Sequence, residues 1–208
     1  MFAVIFEVHP KPEQWDAYIG HAGMLRPELV RVNGFVDNVR YRSKRREGWL
    51  LSLSVWRDEK ALVRWRTHAL HHAVQKKGRF EIFQDYHLRV GQITVDTDDP
   101  EGSTLPEQRL DATETGAAKV ISIIETKQQV EPPEGVDGLV TWDAFEAILT
   151  PGDFLLLLSW RDADAAARFE PPDGALSRHV RVIRDYGMYD RYEAPQYYED
   201  VTRPAEIE

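Results

Sequence analysis

The chain has 208 residues, with 26 Lys or Arg against 35 Asp or Glu and a formal net charge of -9 at pH 7, so it is not built to track a phosphate backbone and nucleic acid is not an expected partner. It contains no cysteine, which excludes disulfides, zinc-thiolate and iron-sulfur sites and a thiolate nucleophile. Its apolar runs, such as Phe154 to Leu158, are far too short to span a bilayer, and its first residues lack the basic start and long apolar core of a signal peptide, so the expectation is a cytoplasmic protein with no membrane partner.

Phe2 to Val8 is an apolar, β-branched run that predicts a first strand, stopped by His9-Pro10 and Pro12. From Gln14 to about Leu29 the residues Trp15, Tyr18, Ile19, Ala22 and Leu25 recur at helical spacing, with Pro27 marking an end or kink near Arg26. Asn33-Gly34 signals a turn, and Phe35 to Ser43 then alternates loosely. After a second turn at Glu47-Gly48, Trp49, Leu51, Leu53 and Val55 alternate with Leu50, Ser52 and Ser54, which predicts a hairpin. The basic run Arg40 to Arg46 falls at its tip and reads as a solvated loop, with a hold on an anionic substrate or a partner chain as the alternative. Asp58 is a natural N-cap, Ala61 to Gln75 predicts one helix ended by Gly78, and Arg79 to Ile93 a long last strand. The order is β-α-β-β-α-β, the split βαβ arrangement of ferredoxin-like domains, an α+β fold.

Residues 96–116 are acidic and rich in Gly, Pro, Ser and Thr, which predicts a surface linker. Beyond it the pattern recurs. Trp-Arg-Asp stands at 56–58 and again at 160–162, each time 22 residues after a glycine, Gly34 or Gly138; Asp85-Tyr86 is answered by Asp185-Tyr186. A repeat of about 100 residues implies two tandem ferredoxin-like units, 1–95 and 117–193, with a tail over 194–208 that packs as an irregular arm. The second unit is degenerate. Only a dozen residues, Pro132-Pro133 among them, separate its first strand, Lys119 to Thr126, from Gly138, too few for a first helix. A hairpin around Pro151-Gly152, a short helix from Asp162 to Phe169 and a last strand from Ser177 to Tyr192 complete it.

The string LLSLSVWRDEKALVRWRTHALHHAVQKKGRFEIFQDYHLRV, a strand ending in Trp-Arg-Asp, a helix with an internal Trp, a Gly-Arg stop and a last strand with Asp-Tyr, resembles the antibiotic biosynthesis monooxygenase family of the dimeric α+β barrel superfamily. The resemblance is strong over Phe2 to Ile93 and weaker over the second half. It implies ferredoxin-like sheets paired into a barrel, here as a homodimer or as a pseudo-dimer within one chain. It also implies a pocket between sheet and helices for a small, flat, electron-rich molecule. Family members include cofactor-independent oxygenases of polycyclic phenols, and that is the leading expectation: a phenolic or aromatic substrate that reacts with dioxygen without a cofactor. Two alternatives stand beside it. One is a haem-binding or haem-degrading protein of the same superfamily, and the other a non-catalytic ligand-binding or assembly module.

Candidate site residues come from the second helix. Trp65, His68, His72 and Gln75 lie three, seven and ten residues apart, which on one continuous helix puts them on one face, with Arg79 just beyond. In this reading Trp65 stacks a ring, His72 or His68 orients or deprotonates a phenol, and Gln75, Arg79 and Tyr86 bind the substrate. The matching positions of Tyr86 and Tyr186 also suit a structural role at the barrel seam. Arg57-Asp58 and Arg161-Asp162 read as hairpin exits and helix caps. Haem-opening relatives carry an Asn on the first strand, a Trp on the second helix and a His three turns later. Here Trp65 matches, Glu7 or a neighbour stands for the Asn, and the ligand position falls near Gln75, with His71 and His72 the nearest substitutes. His9, His21 and His87 show no ligand spacing, so no metal is expected. No Gly-rich phosphate loop appears either.

Overall fold

In the computed structural model, which describes residues 1–99, 105–133 and 135–203, eight antiparallel strands close into one barrel. In chain order the elements are β1 (Phe2–Pro10), α1 (Trp15–Leu29), β2 (Phe35–Ser43), β3 (Leu50–Trp56), α2 (Glu59–Arg66), α3 (Ala69–Lys77) and β4 (Phe83–Asp96). There follow β5 (Val120–Thr126), β6 (Leu139–Ala147), β7 (Phe154–Trp160), α4 (Ala163–Ala167) and β8 (Leu176–Gly187). The strands run round the barrel as β1-β3-β2-β6-β7-β5-β8-β4. Each half therefore traces the order last, first, third, second, and the halves meet at two seams, β2 with β6 and β4 with β8. The β2–β6 seam is short, pairing only Tyr41 to Ser43 with Phe145 to Ala147, whereas β4 and β8 pair along most of their length.

Strand alternation sorts the core. Ala3 and Ile5 of β1 point inward with Leu51, Leu53, Ile121, Leu155 and Leu157 to fill the barrel. Phe2, Val4, Phe6 and Val8 point outward, where α1, α2 and α3 cover them. Glu7 shares the inward phase, at one end of the barrel, and the buried Arg89 guanidinium donates to it and to Ser159 Oγ (2.8 Å).

The two Trp-Arg-Asp corners are alike in detail. Gly34 and Gly138 hold φ of +96° and +90°, and their carbonyls accept from the backbone of Arg57 and Arg161, both at 2.8 Å. A Cβ on either would lie 2.6 or 2.4 Å from the Cβ of Ala61 or Ala165. Asp58 and Asp162 cap α2 and α4 by accepting from Ala61 N (2.8 Å) and Ala165 N (2.7 Å).

Several expectations need correction. The predicted helix over 61–75 is two helices. The Thr67 hydroxyl donates back to Val63 O at 2.9 Å, and His68 turns extended (ψ 127°) as the N-cap of α3. The last strand of the first half begins at Phe83, because Gly78–Ile82 form a π-type turn. Arg40 and Arg42 belong to β2, and the basic loop is bound across a seam, with Arg46 Nε 2.7 Å from Asp143 Oδ2 and Lys44 2.9 Å from Glu146. Among the described residues no helix lies between β5 and β6. No described helix is long and apolar enough to cross a membrane. Residues 105–116 lie against the barrel, with Leu105 on the interior cluster and Thr113 N bonded to Val182 O (2.8 Å). Residues 188–203 form an irregular arm. Glu193 anchors it, accepting from Asp185 N and Glu114 N at 2.6 Å and from the Thr113 hydroxyl at 2.7 Å.

Candidate active site

The outer face of the first half's sheet and the three helices over it do not meet everywhere. They leave a cavity of about 190 Å³. Its floor is Val4 and Phe6 of β1, Ser52 and Ser54 of β3, and Leu88 and Val90 of β4. Ala22, Leu25 and Leu29 of α1 form one wall, and Leu62, Trp65 and Arg66 of α2 with His71 and Gln75 of α3 form the other. The arm closes one end with Arg191, Gln196 and Tyr198, beside Tyr186.

The helix break decides which histidine enters. His71 folds back across the break so that its ring lies flat on Trp65 (centroids 4.2 Å, 14°), and its Nδ1 sits 2.9 Å from Trp65 O. A carbonyl only accepts, so that contact puts the proton on Nδ1 and leaves Nε2 with its lone pair. Gln75 Nε2 is 3.5 Å from the same atom, and the shorter contact decides. Burial pushes the imidazole down to about 4, more than the bond to Trp65 raises it, so His71 is neutral near pH 7.

Around Tyr86 the cavity wall is cationic. Arg79, 2% exposed, donates to Met188 O (2.6 Å), Glu199 O (3.0 Å) and the Tyr86 hydroxyl (3.2 Å). Arg191 donates to the same hydroxyl (2.7 Å) and to Gln196 O (2.8 Å), and its guanidinium lies over the rings of Tyr186 and Tyr198. Burial raises the Tyr186 phenol to about 12, which keeps it neutral. Gln196 Nε2 reaches Gln75 Oε1 at 3.1 Å and ties the arm to α3.

Of the residues expected from spacing, Trp65, Gln75, Arg79 and Tyr86 line this cavity, and His68 and His72 do not. The reason is the break, which ends the single helical face before His68. His68 caps α3 with its Nε2 4.0 Å from Glu28, and His72 lies exposed, stacked on Tyr198 (5.9 Å, 19°). Sequence reading passed over His71 for this role, together with Arg191 and Gln196. His71 sits beside a residue that was chosen, but the arm carries no local signal that it folds back.

Haem does not fit. Glu7, the candidate for the strand-one Asn, faces the barrel interior, and the β1 residues in the cavity are Val4 and Phe6. Among the described residues no group of three or more His, Cys, Asp or Glu could hold a metal ion.

Fold and cavity define an α+β barrel protein with a ligand-sized, mostly apolar cavity on the helix-covered face of its first half. The model of the antibiotic biosynthesis monooxygenase family matches residues 1–77. Jasmonate monooxygenase ABM of Pyricularia oryzae is 46% identical over 216 residues, covering 95% of this chain and 98% of that protein. The chain belongs to the antibiotic biosynthesis monooxygenase family. Among solved structures, aldoxime dehydratase OxdRE in complex with butyraldoxime shares the fold at a TM-score of 0.54 and 10% identity, over 91% of this chain and 80% of that one. An anthrone oxidase-like protein aligns over 94% of this chain and 96% of its own at 11% identity, with a TM-score of only 0.35.

Proposed function

We propose that the protein is a monooxygenase that takes a small, largely apolar molecule into the cavity under α1, α2 and α3 and inserts one atom of dioxygen into it. The observation that carries this reading is the 46% identity to a jasmonate monooxygenase along nearly the whole chain, and jasmonate is the first substrate to test. A second reading, an aromatic or phenolic substrate, is favoured by Trp56, Trp65, Tyr86 and Tyr186 in the cavity wall, which offer ring faces for stacking. The shared strand order and matching corners support two fused ferredoxin-like repeats, 1–95 and 117–193, acting as an intrachain pseudo-dimer. In that reading the first carries the site and the second braces the barrel.

His71 takes the role that spacing gave to His72 and His68, but a narrower one. Moving a proton from a phenol of pKa about 10 to a base near 4 is uphill by roughly 8 kcal/mol. His71 is therefore assigned as a hydrogen-bond acceptor that orients the substrate on Trp65 rather than as a base that holds the proton. The electron balance separates the substrate classes. An activated phenol or anthrone-like carbon can give up all four electrons that dioxygen takes in forming a ketone and water, with no cofactor. Hydroxylation of an unactivated C–H bond needs two further electrons and two protons from an added reductant.

The test is dioxygen uptake by the full chain with jasmonate and with a polycyclic phenol, with and without reductant, alongside His71→Phe. Uptake matched by product, a ketone or quinone without reductant or an alcohol with it, and lost in His71→Phe is the expected result. Uptake with neither substrate under either condition overturns the proposal.

A further inference from the structure

The cavity wall carries a charge opposite to that of the protein. The chain is acidic by nine charges, yet four of the lining residues are arginines, Arg40, Arg66, Arg79 and Arg191, and none is Asp or Glu. Arg79 and Arg191 direct their N–H groups to neutral carbonyls and to a phenol. Among the described residues the buried Nε atoms of Arg40 and Arg66 have no acceptor. A guanidinium withdrawn from water without a counter-charge is costly, and a buried N–H without a partner adds to the cost. A bound anion removes both penalties together.

Sheet register separates these two arginines. Arg40 pairs with Ser52, Ser52 with Phe6, Phe6 with Leu88 and Leu88 with Tyr186. Four strand steps span roughly 19 Å along the sheet, so one small anionic group cannot serve both ends. Gln196 Nε2 donates to Arg66 O (3.5 Å) and Arg191 donates to Gln196 O (2.8 Å), which puts Arg66 and Arg191 at the same end, with Arg79 close by on the Tyr86 hydroxyl that Arg191 also reaches. Arg40 stands at the other end, beside Tyr18. The positive charge is concentrated at the Arg66 end. All four cations are arginines, whose planar fork matches a carboxylate in two parallel hydrogen bonds.

We propose that the cavity selects a carboxylate-bearing apolar molecule, with the carboxylate seated on Arg66 and Arg191 and the apolar body lying along Phe6, Leu62 and Leu88. This deepens the proposed monooxygenase site, on which it rests. It names the chemical group read at one end and the residues that read it.

The experiment titrates the full chain at pH 7 with matched acid and methyl-ester pairs, jasmonate with methyl jasmonate and 4-phenylbutyrate with its methyl ester, followed by quenching of Trp56 and Trp65. Each acid binds about tenfold or more tighter than its ester, the effect of a charge-assisted hydrogen bond lost. In Arg66→Gln the two bind within about twofold of each other; Arg66→Lys keeps part of the preference, and Arg40→Gln keeps all of it. Circular dichroism confirms that each variant is folded, and the wild-type comparison alone still tests the proposal if Arg66→Gln is not. Equal binding of acid and ester to the wild type overturns it, as does a preference that survives Arg66→Gln or vanishes in Arg40→Gln. Acids preferred without turnover of jasmonate would defeat the substrate reading alone, whereas equal turnover of jasmonate and its ester would defeat this inference alone.

Discussion

Replacing Glu7 by Ala should be among the most damaging single changes in the barrel and should leave the ligand site intact. Glu7 is 5% exposed and Arg89 2%; Arg46 also donates to Glu7, and His87 Nδ1 lies 3.8 Å away. Burial pushes the Glu7 carboxyl up, but Arg89, Arg46 and His87 together outweigh it and hold its pKa below the ordinary value. Truncation leaves the Arg89 guanidinium buried with Ser159 as its remaining acceptor. Breaking a buried pair in this way costs about 3–5 kcal/mol, a large part of the roughly 5–15 kcal/mol that keeps a domain folded. For a chain of this size that lowers Tm by roughly 6–20 °C. Glu7→Met combined with Arg89→Met should recover much of the loss, since no charge is then stranded. The sign with pH follows from the depressed carboxyl. Its contribution is fully present above the unfolded value near 4.5 and is lost as pH falls through the folded value, so the gap between wild type and Glu7→Ala narrows below about pH 5. Guanidinium denaturation followed by circular dichroism from pH 7 to pH 3 measures it. A cost below about 1 kcal/mol at pH 7, or a gap that does not narrow in acid, refutes the reasoning.

Other outcomes are as specific. Asp58→Ala removes the α2 cap and should cost about 1 kcal/mol in thermal or chemical denaturation, whereas Asp58→Asn retains most of it. Gly138→Ala meets both a φ of +90° and the Cβ of Ala165 at 2.4 Å, and should cost about 1–3 kcal/mol by the same assay. Arg79→Met frees the arm from the turn that follows α3 by cutting the bonds to Met188 O and Glu199 O, so limited proteolysis between residues 190 and 203 should be faster than in the wild type. His72→Ala should turn substrate over within about twofold of the wild type, because its exposed ring lies outside the cavity, while His71→Phe should lose most of the rate; steady-state kinetics separates the two.

The parts of this architecture that depend on local chemistry could be read from the sequence, and the parts that depend on distant contacts could not. The two Trp-Arg-Asp corners follow from a glycine, an aspartate cap and a strand end within a short span. The helix break at Thr67-His68 does not, because good helix formers lie on both sides and the break is held by a threonine hydroxyl and the stacking of His71 on Trp65. That one kink moved the site from His68 and His72 to His71. Glu7 shows a second limit. The alternation of β1 separates Ala3, Ile5 and Glu7 from Val4 and Phe6, but both faces are apolar and buried, so the pattern alone does not say which one faces the helices. The tail expected over 194–208 is described only as far as residue 203, and the last five residues lie outside the described ones. That the arm completes the cavity through Arg191, Gln196 and Tyr198 depends on partners more than 100 residues away.

The central claim is that the cavity over the first half's sheet is where substrate reacts, and Ala22→Phe tests it most directly. Ala22 lines the cavity from α1 and takes part in no step of the chemistry assigned here, and a ring at that position occupies the space a substrate needs. Dioxygen uptake with jasmonate, measured on a variant shown by circular dichroism to be folded, should fall to background. A folded Ala22→Phe protein that consumes dioxygen at the wild-type rate would contradict the account.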